Sequence, residues 1–209
     1  DILKTAENLL EGVKEKGGEN LEVAEFFSWE PVREFEEIGF SEREYFDEQG
    51  TIILDLTKGA DALFKDFSQT RRNELRKAIK QNQVRISEVE TPDELAELHA
   101  IHCDWNHRKG NQPDTFEDFE LAWRQKNYRK IFIDKRDEKI IAGSYYRFCP
   151  GGVVEYAANN SLPEYQKLRP NDLLGWHSIQ WACREGFQLY SMGGSHLFLR
   201  RFGRGTVTT

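Results

Sequence analysis

RKIFIDKRDEKIIAGSYYRFCPGGVVEYAANNS, residues 129–161, is the stretch that decides the fold. Its first two runs, 129–136 and 139–149, are rich in Ile, Phe and Tyr, and only Asp137 and Glu138 separate them. Two such runs around a two-residue gap predict a β-hairpin. The CPGG turn at 149–152 then leads into a third strand, GGVVEYAANNS. After a polar loop, NDLLGWHSIQWACREGF (171–187) has the pattern of a helix, capped by Asn171 and ended at Gly186. QLYSMGG (188–194) reads as a last strand, and the tail after it has no clear periodicity.

Working upstream, TPDELAELHAIHCDWNHR opens a helix with Thr91 as cap, Pro92 at the first helical position and Glu94 at the third, a capping box. WNHRKGNQPDT (105–115) reads as a loop, and FEDFELAWRQK as another helix. A helix from Asp61 to about Gln81 has Leu63, Phe64, Phe67, Leu75 and Ile79 as its apolar stripe, with basic residues on the other side. QVRISEV and GTIILDL are strands. Residues 2–16 form a helix closed by Gly17 and Gly18, NLEVAEFF alternates like a strand, and VREFEEIGF is a short helix closing at Gly39. Hairpin strands followed by a helix and one more strand fit neither a doubly wound sheet nor a sandwich. They predict an α/β chain of the α+β kind, a mixed central sheet flanked by helices.

The chain has 209 residues and a formal net charge of −7, which argues against a broad nucleic-acid footprint while leaving room for a local basic pocket. No apolar run is long enough to span a bilayer, so no integral membrane segment is expected. Cys103, Cys149 and Cys183 are dispersed, odd in number and at no metal spacing, which fits ordinary thiols and a cytoplasmic setting. No Gly-rich phosphate loop, dinucleotide fingerprint, HExxH or GxSxG elbow is present. His99 and His102 lie three apart on a helix, but nothing at metal spacing completes a site, so no metal is assigned.

The remaining candidates are of another kind. In VVEYAANN, Glu155 and Tyr156 point to opposite faces of their strand; they are either ordinary sheet positions or part of a site. Tyr165, Lys167 and Arg169 precede a helix start at Asn171, where free N–H groups and two cations suit a phosphate, although a plain surface loop has the same composition. Gly193 and Gly194 allow a sharp turn or close ligand approach, with Arg200 and Arg201 just beyond. RRNELRKAIKQN (71–82) gathers five cations, either as a solvated helix face or as the lining of a groove.

RRNELRKAIKQNQVRI resembles the R-x-x-[IL]-R-K-A-x-K helix and following strand of the FemAB-like transferases. YQKLRPNDLLGWHSIQWACREGF and YSMGGSHLFLRRFG are similar to their later loop-helix segment and their closing glycine turn with F-x-x-x-F-G. The likeness covers about 50–205. The family often has Lys where Leu199 stands, so that cationic role would move to Arg200 or Arg201. The resemblance implies a GNAT-like acyltransferase fold, with residues 57–209 as most of one such domain and 1–56 as the end of a preceding, truncated one. It implies transfer of an aminoacyl group from aminoacyl-tRNA, or of an acyl group from acyl-CoA, to an amine of a peptidoglycan precursor or related envelope substrate. No tightly bound cofactor is expected; the donor is itself a substrate. Partners would be a phosphate-bearing small molecule or muropeptide acceptor, and possibly tRNA.

On this reading Glu155 is the candidate general base and Tyr156 a proton donor or substrate-positioning group. Lys167, Arg169 and Asn171, with Tyr165, are candidates for holding phosphate, and Arg72, Arg76 and Arg200 are further ones. Two other readings stand beside it: an acyl-CoA-dependent N-acyltransferase acting on a sugar or small amine, and a non-catalytic binding module of the same fold.

Overall fold

A computed structural model describes residues 2–18, 33–41, 51–81, 83–194, 198–203 and 206–207. The chain divides into two compact units, Asp1–Asp47 and Glu48–Thr209. The described helices of the first are α1 (Ile2–Glu15) and α2 (Glu34–Glu37). The strand expected at NLEVAEFF lies outside the described residues.

The second unit runs β1 (Thr51–Asp55), α3 (Ala60–Asp66), α4 (Gln69–Gln81), β2 (Arg85–Glu88), α5 (Pro92–Lys109), α6 (Phe116–Arg124), β3 (Arg129–Arg136), β4 (Lys139–Phe148), β5 (Val153–Ser161), α7 (Pro170–Arg184), β6 (Leu189–Ser191) and β7 (Thr206–Val207). Short 3-10 turns lie at Leu56–Lys58, Pro163–Leu168 and Leu199–Phe202. The seven strands form one sheet in the order β2-β3-β4-β5-β6-β1-β7. Every neighbouring pair is antiparallel except β5 and β6, which are parallel. The mixed sheet flanked by helices is as expected. Because β1 pairs with β6, it belongs to the second unit, and the division falls at Asp47/Glu48 rather than at 56/57.

The β3–β4 hairpin turns on Asp137 and Glu138, both left-handed at φ 50 and 62. That is the geometry a two-residue turn needs to match strand twist, reached here without glycine. The capping box at Thr91 and Glu94 is present. Four readings are corrected. The helix expected over 61–81 is broken at Phe67, whose ψ of 152 is extended, and Ser68 Oγ restarts it by accepting the Arg71 N–H at 3.2 Å. Ile79 of α4 is exposed, and the buried positions are Arg71, Leu75 and Ala78. Helix α5 continues through the first five residues of the expected loop to Lys109 and stops at left-handed Gly110. Arg169, not Asn171, caps α7, with Pro170 at the first helical position.

The sheet separates two cores. On one face α7 crosses β3, β4 and β5, and Leu54, Phe67, Tyr146, Val154, Trp176, Tyr190 and Phe202 are buried together. On the other, α5 and α6 cover Ile131, Ile133, Leu95, Leu98 and Phe119. Each such side chain contributes about 1.5–3 kcal/mol when fully buried. Gly143 sets how closely α5 approaches: a Cβ there would lie 2.4 Å from Leu98 Cδ1. Its cross-strand partner is Asn160, so the next turn of α5, carrying His102, comes down onto the end of β5.

Candidate acyl-transfer site

Strand β5 has β4 beside it from Val154 to Ser161, with one bulge at Ala157, but β6 along only part of it. The parallel pairing covers Val153–Glu155 against Leu189–Ser191. Beyond it the chain leaving β6 bends at Gly193, with φ of +66. A Cβ at Gly193 would sit 2.4 Å from the Tyr156 carbonyl oxygen, so only glycine fits this close approach. Gly194 then binds β1: its N–H donates to Thr51 Oγ1 at 2.9 Å and its carbonyl accepts the Ile52 N–H at 3.1 Å. Among the described residues no strand pairs with Ala157–Asn160 on the β6 side, and Ala157 and Ala158 are exposed. The two strands therefore open a notch beside small side chains.

Glu155 and Tyr156 flank the start of this notch on opposite faces, as their spacing predicts. Glu155 is buried, and its two oxygens accept from Arg147 Nε at 2.7 Å and Nη2 at 2.8 Å. Arg147 is its cross-strand partner, and Arg129 is the next residue along the same row. Burial and the charge of Arg147 push the Arg129 guanidinium below its ordinary value, and Glu155 opposes them. In this arrangement Glu155 stitches two strands together, with both oxygens engaged by Arg147. Tyr156 lies on the α7 side, where burial raises its hydroxyl well above the ordinary tyrosine value. That hydroxyl keeps its proton, and among the described residues it has no hydrogen-bond partner.

Lys167 and Arg169 come together with α4. Asn73, Glu74, Lys77, Ala78, Gln81, Gln166, Lys167 and Arg169 line a cleft of about 560 Å³. Three cations from two elements thus face one space, flanked by three side-chain amides. Among the described residues neither Lys77 nor Lys167 has a carboxylate within ion-pair distance, whereas Arg169 pairs with Glu74 at 2.7 Å and Asp172 at 3.6 Å. The residues lining this cleft include none from β5. The link between them is Asn171, which sits inside the first turn of α7 and donates to Ser161 Oγ at the end of β5, at 3.1 Å.

The other expected residues have different surroundings. Arg72 closes the α3–α4 junction, donating to the carbonyls of Lys65 and Phe67 and to Gln69 Oε1. Arg76 lies 5.2 Å from the centre of the Phe64 ring, and Tyr165 lies under Lys139 Nζ at 5.3 Å. Arg200 is exposed. Sequence reasoning missed Arg71, which is wholly buried, ion-paired with Asp172, and donates to the Phe198 carbonyl at 3.0 Å. The Phe198 and Phe202 rings hold its guanidinium at 4.6 and 4.3 Å. Burial lowers it to about 10, which leaves it charged at neutral pH. Its position one turn before Leu75, on the stripe that continues to Ala78, is the signal that could have found it. Lys77 was likewise legible from its spacing to Asn73 and Gln81.

Among the described residues the sheet has one parallel pair, β5 and β6, which part beyond Glu155, and this mixed sheet with helices on both faces sets the fold class. The sequence profile of the acetyltransferase (GNAT) domain matches residues 65–199, more than half of the chain, and the chain belongs to that family. Among solved structures, FemX matches with a TM-score of 0.64 at 14% identity, over 92% of this chain and 68% of that one. The C-terminal domain of a putative lysylphosphatidylglycerol synthetase from Agrobacterium fabrum matches with 0.55 at 16%, over 76% and 54%. L-PGS from Bacillus licheniformis matches with 0.54 at 18%, over 90% and 56%. At these identities the likeness concerns the fold. No protein of curated function matches the sequence. Among the described residues no helix is long and apolar enough to cross a membrane, and Cys103, Cys149 and Cys183 are all free thiols.

Proposed function

We propose that this GNAT domain transfers an aminoacyl or acyl group to an amine of a phosphate-bearing envelope precursor, of the peptidoglycan type, and works in the cytoplasm. The observation that carries the reading is the open half of β5. The activated carbonyl lies along Ala157–Asn160, where a strand edge can hydrogen-bond it and the alanine side chains leave room. The amine nitrogen adds to the carbonyl carbon, the C–O bond of an ester or C–S bond of a thioester breaks, and an amide forms. The proton lost by the amine ends on the departing hydroxyl or thiol. Most of the acceleration comes from holding the two groups together, which can supply about 7–11 kcal/mol without a strong base. Tyr156 offers a proton-bearing hydroxyl near the notch. Glu155 contributes as a base only with Arg147 displaced, and otherwise keeps the sheet closed below the reacting groups. Lys77, Lys167 and Arg169 hold a phosphate or diphosphate handle on donor or acceptor. The likeness in fold to the domain of a putative lysylphosphatidylglycerol synthetase, together with the FemAB-like sequence resemblance, supports an aminoacyl donor and an envelope acceptor. The same notch and cleft also serve a second reading, acyl-CoA-dependent transfer to a sugar or small amine, since coenzyme A carries a diphosphate.

Ala158→Phe tests the reading, with aminoacyl-tRNA and acetyl-CoA as donors in separate reactions and a nucleotide-linked muropeptide or a small amine as acceptor. Filling the notch should lower transfer about a hundredfold through misplacement of the carbonyl, while stability stays within about 0.5 kcal/mol because the site is exposed. The donor that supports transfer by the unaltered protein selects between the two readings. Full transfer by the Phe variant, or no transfer by the unaltered protein from either donor, contradicts the proposal.

A further inference from the structure

Asp114 lies between α5 and α6, one residue before the Thr115 cap. Two histidines of α5 hold its backbone. His102 Nε2 accepts its N–H at 3.1 Å, and His99 Nε2 lies 2.9 Å from its carbonyl oxygen. These bonds require complementary tautomers. His102 offers a lone pair at Nε2, so its proton is on Nδ1, which donates to Asn160 Oδ1 at 3.0 Å. His99 carries its proton on Nε2. Asn106 Nδ2 donates to the His102 carbonyl at 3.0 Å. The loop, the helix and β5 are thereby tied through one imidazole.

The start of α6 does not need this clamp. Thr115 and Asp118 already form a reciprocal capping box, with the Asp118 N–H donating to Thr115 Oγ1 at 3.1 Å and the Thr115 N–H to Asp118 Oδ2 at 3.3 Å. What the clamp fixes is the backbone that carries the Asp114 carboxylate, which is 67% exposed. Asn160 belongs to the open half of β5, and Ala158 stands on the same face two residues earlier. Tyr145, the cross-strand partner of Ala158, brings a buried hydroxyl that has no hydrogen-bond partner among the described residues. Burial raises that hydroxyl well above the ordinary tyrosine value, and the charge of Asp114 adds to the effect. An accessible anion on an immobilised backbone, linked through His102 to Asn160 of the open half of β5, is suited to a primary amine carried as its ammonium ion.

We infer that Asp114 anchors the ammonium group of the acceptor, and that His99, His102 and Asn160 are positioning residues that hold it next to the open edge of β5. The inference rests on the acyltransferase reading above and names the acceptor side of that site. The clamp grips the backbone of Asp114, so Asp114→Asn removes the charge and leaves the clamp in place.

The test is an NMR titration of the full chain with Nα-acetyl-lysine amide and with Nα-acetyl-norleucine amide, which lacks the amine. Saturable shifts at Asp114, His99 and His102 are expected with the lysine probe alone. They should vanish in Asp114→Asn at unchanged thermal stability and weaken in His102→Gln. In transfer assays Asp114→Asn should raise the acceptor KM about tenfold or more, as loss of a charge-assisted hydrogen bond implies, with the donor KM unchanged. Equal shifts from both probes, shifts that persist in Asp114→Asn, or an unaltered acceptor KM would overturn the anchor. Failure of the acyltransferase reading looks different: no transfer by the unaltered protein, together with lysine binding that depends on Asp114, upholds the anchor and removes the reaction.

Discussion

The two halves of β5 are built from the same strand and live in opposite conditions. Val153–Glu155 is paired on both edges, its side chains Val154 and Glu155 are buried, and Arg147 crosses to Glu155 with two hydrogen bonds. Among the described residues Ala157–Asn160 has β4 alone beside it, with Ala157 in a bulge between paired Tyr156 and Ala158, and it presents exposed Ala157 and Ala158. An unpaired strand edge inside a sheet is an unusual thing to leave open, since it exposes backbone groups that readily pair with another chain. The difference teaches where the work is divided: charge and bulk close the sheet below the notch, and small side chains leave it open above. Groups in the closed part should therefore report on stability, and groups in the open part on binding and transfer.

The largest effect on stability is expected in the closed interior of the sheet, at Asp134 on β3, whose row runs through Ala142 to Ser161. Asp134 is fully buried, neither carboxylate oxygen has a hydrogen-bond partner among the described residues, and burial pushes its carboxyl up to about 8. In the unfolded chain an aspartate titrates near 4. Between those values the folded protein holds a proton that the unfolded chain has released. Stability from this group therefore falls as pH rises through that window, with the full loss reached above about pH 8 and none below about pH 4. Asp134→Asn keeps the shape and cannot ionise. It should raise stability at pH 8.5 by as much as about 5 kcal/mol and change it little at pH 4. Urea denaturation at the two pH values measures this, and a pH-independent effect would show that the closed part admits water.

Somewhat smaller is the expected effect of Arg71→Met. Asp172, buried at the start of α7, would lose its buried partner and keep only Arg169 at 3.6 Å. Leaving such a charge unpaired costs about 3–5 kcal/mol, read from the midpoint of chemical denaturation. The comparison breaks if this substitution leaves stability intact and abolishes transfer, since Arg71 would then belong to the open part.

Much of the frame was legible because local chemistry decides it. The Asp137–Glu138 gap forces a hairpin whatever packs around it, and Thr91-Pro92-x-Glu94 closes its own helix end. The misreadings have a common cause, which is that residue type was taken for location. Arg71 was placed on the wet side of α4 because it is charged, yet two Phe rings and Asp172 make a buried place for it. Polar composition made 105–115 look like a loop, while α5 needed only Gly110 to stop. Phe67 and Ser68 continue the apolar and polar pattern of a helix and still break it, because a single extended ψ leaves no periodic signal. Within the site, Lys167 and Arg169 were found from their place before a helix. Lys77 and Asp114 were not, since what makes them candidates is the element facing each of them. The histidine pair was tested for a metal; its role as a backbone clamp depends on Asp114, which lies 12 and 15 residues away.

The most direct measurement on the open half of β5 is amide hydrogen exchange across 153–161, with and without donor, using acetyl-CoA and an aminoacylated RNA minihelix in turn. The account predicts that one of them slows exchange at 157–160 and leaves 153–155, already paired on both edges, unchanged. Unaltered exchange at 157–160 under saturating concentrations of both donors, with protection appearing elsewhere in the domain, would contradict it.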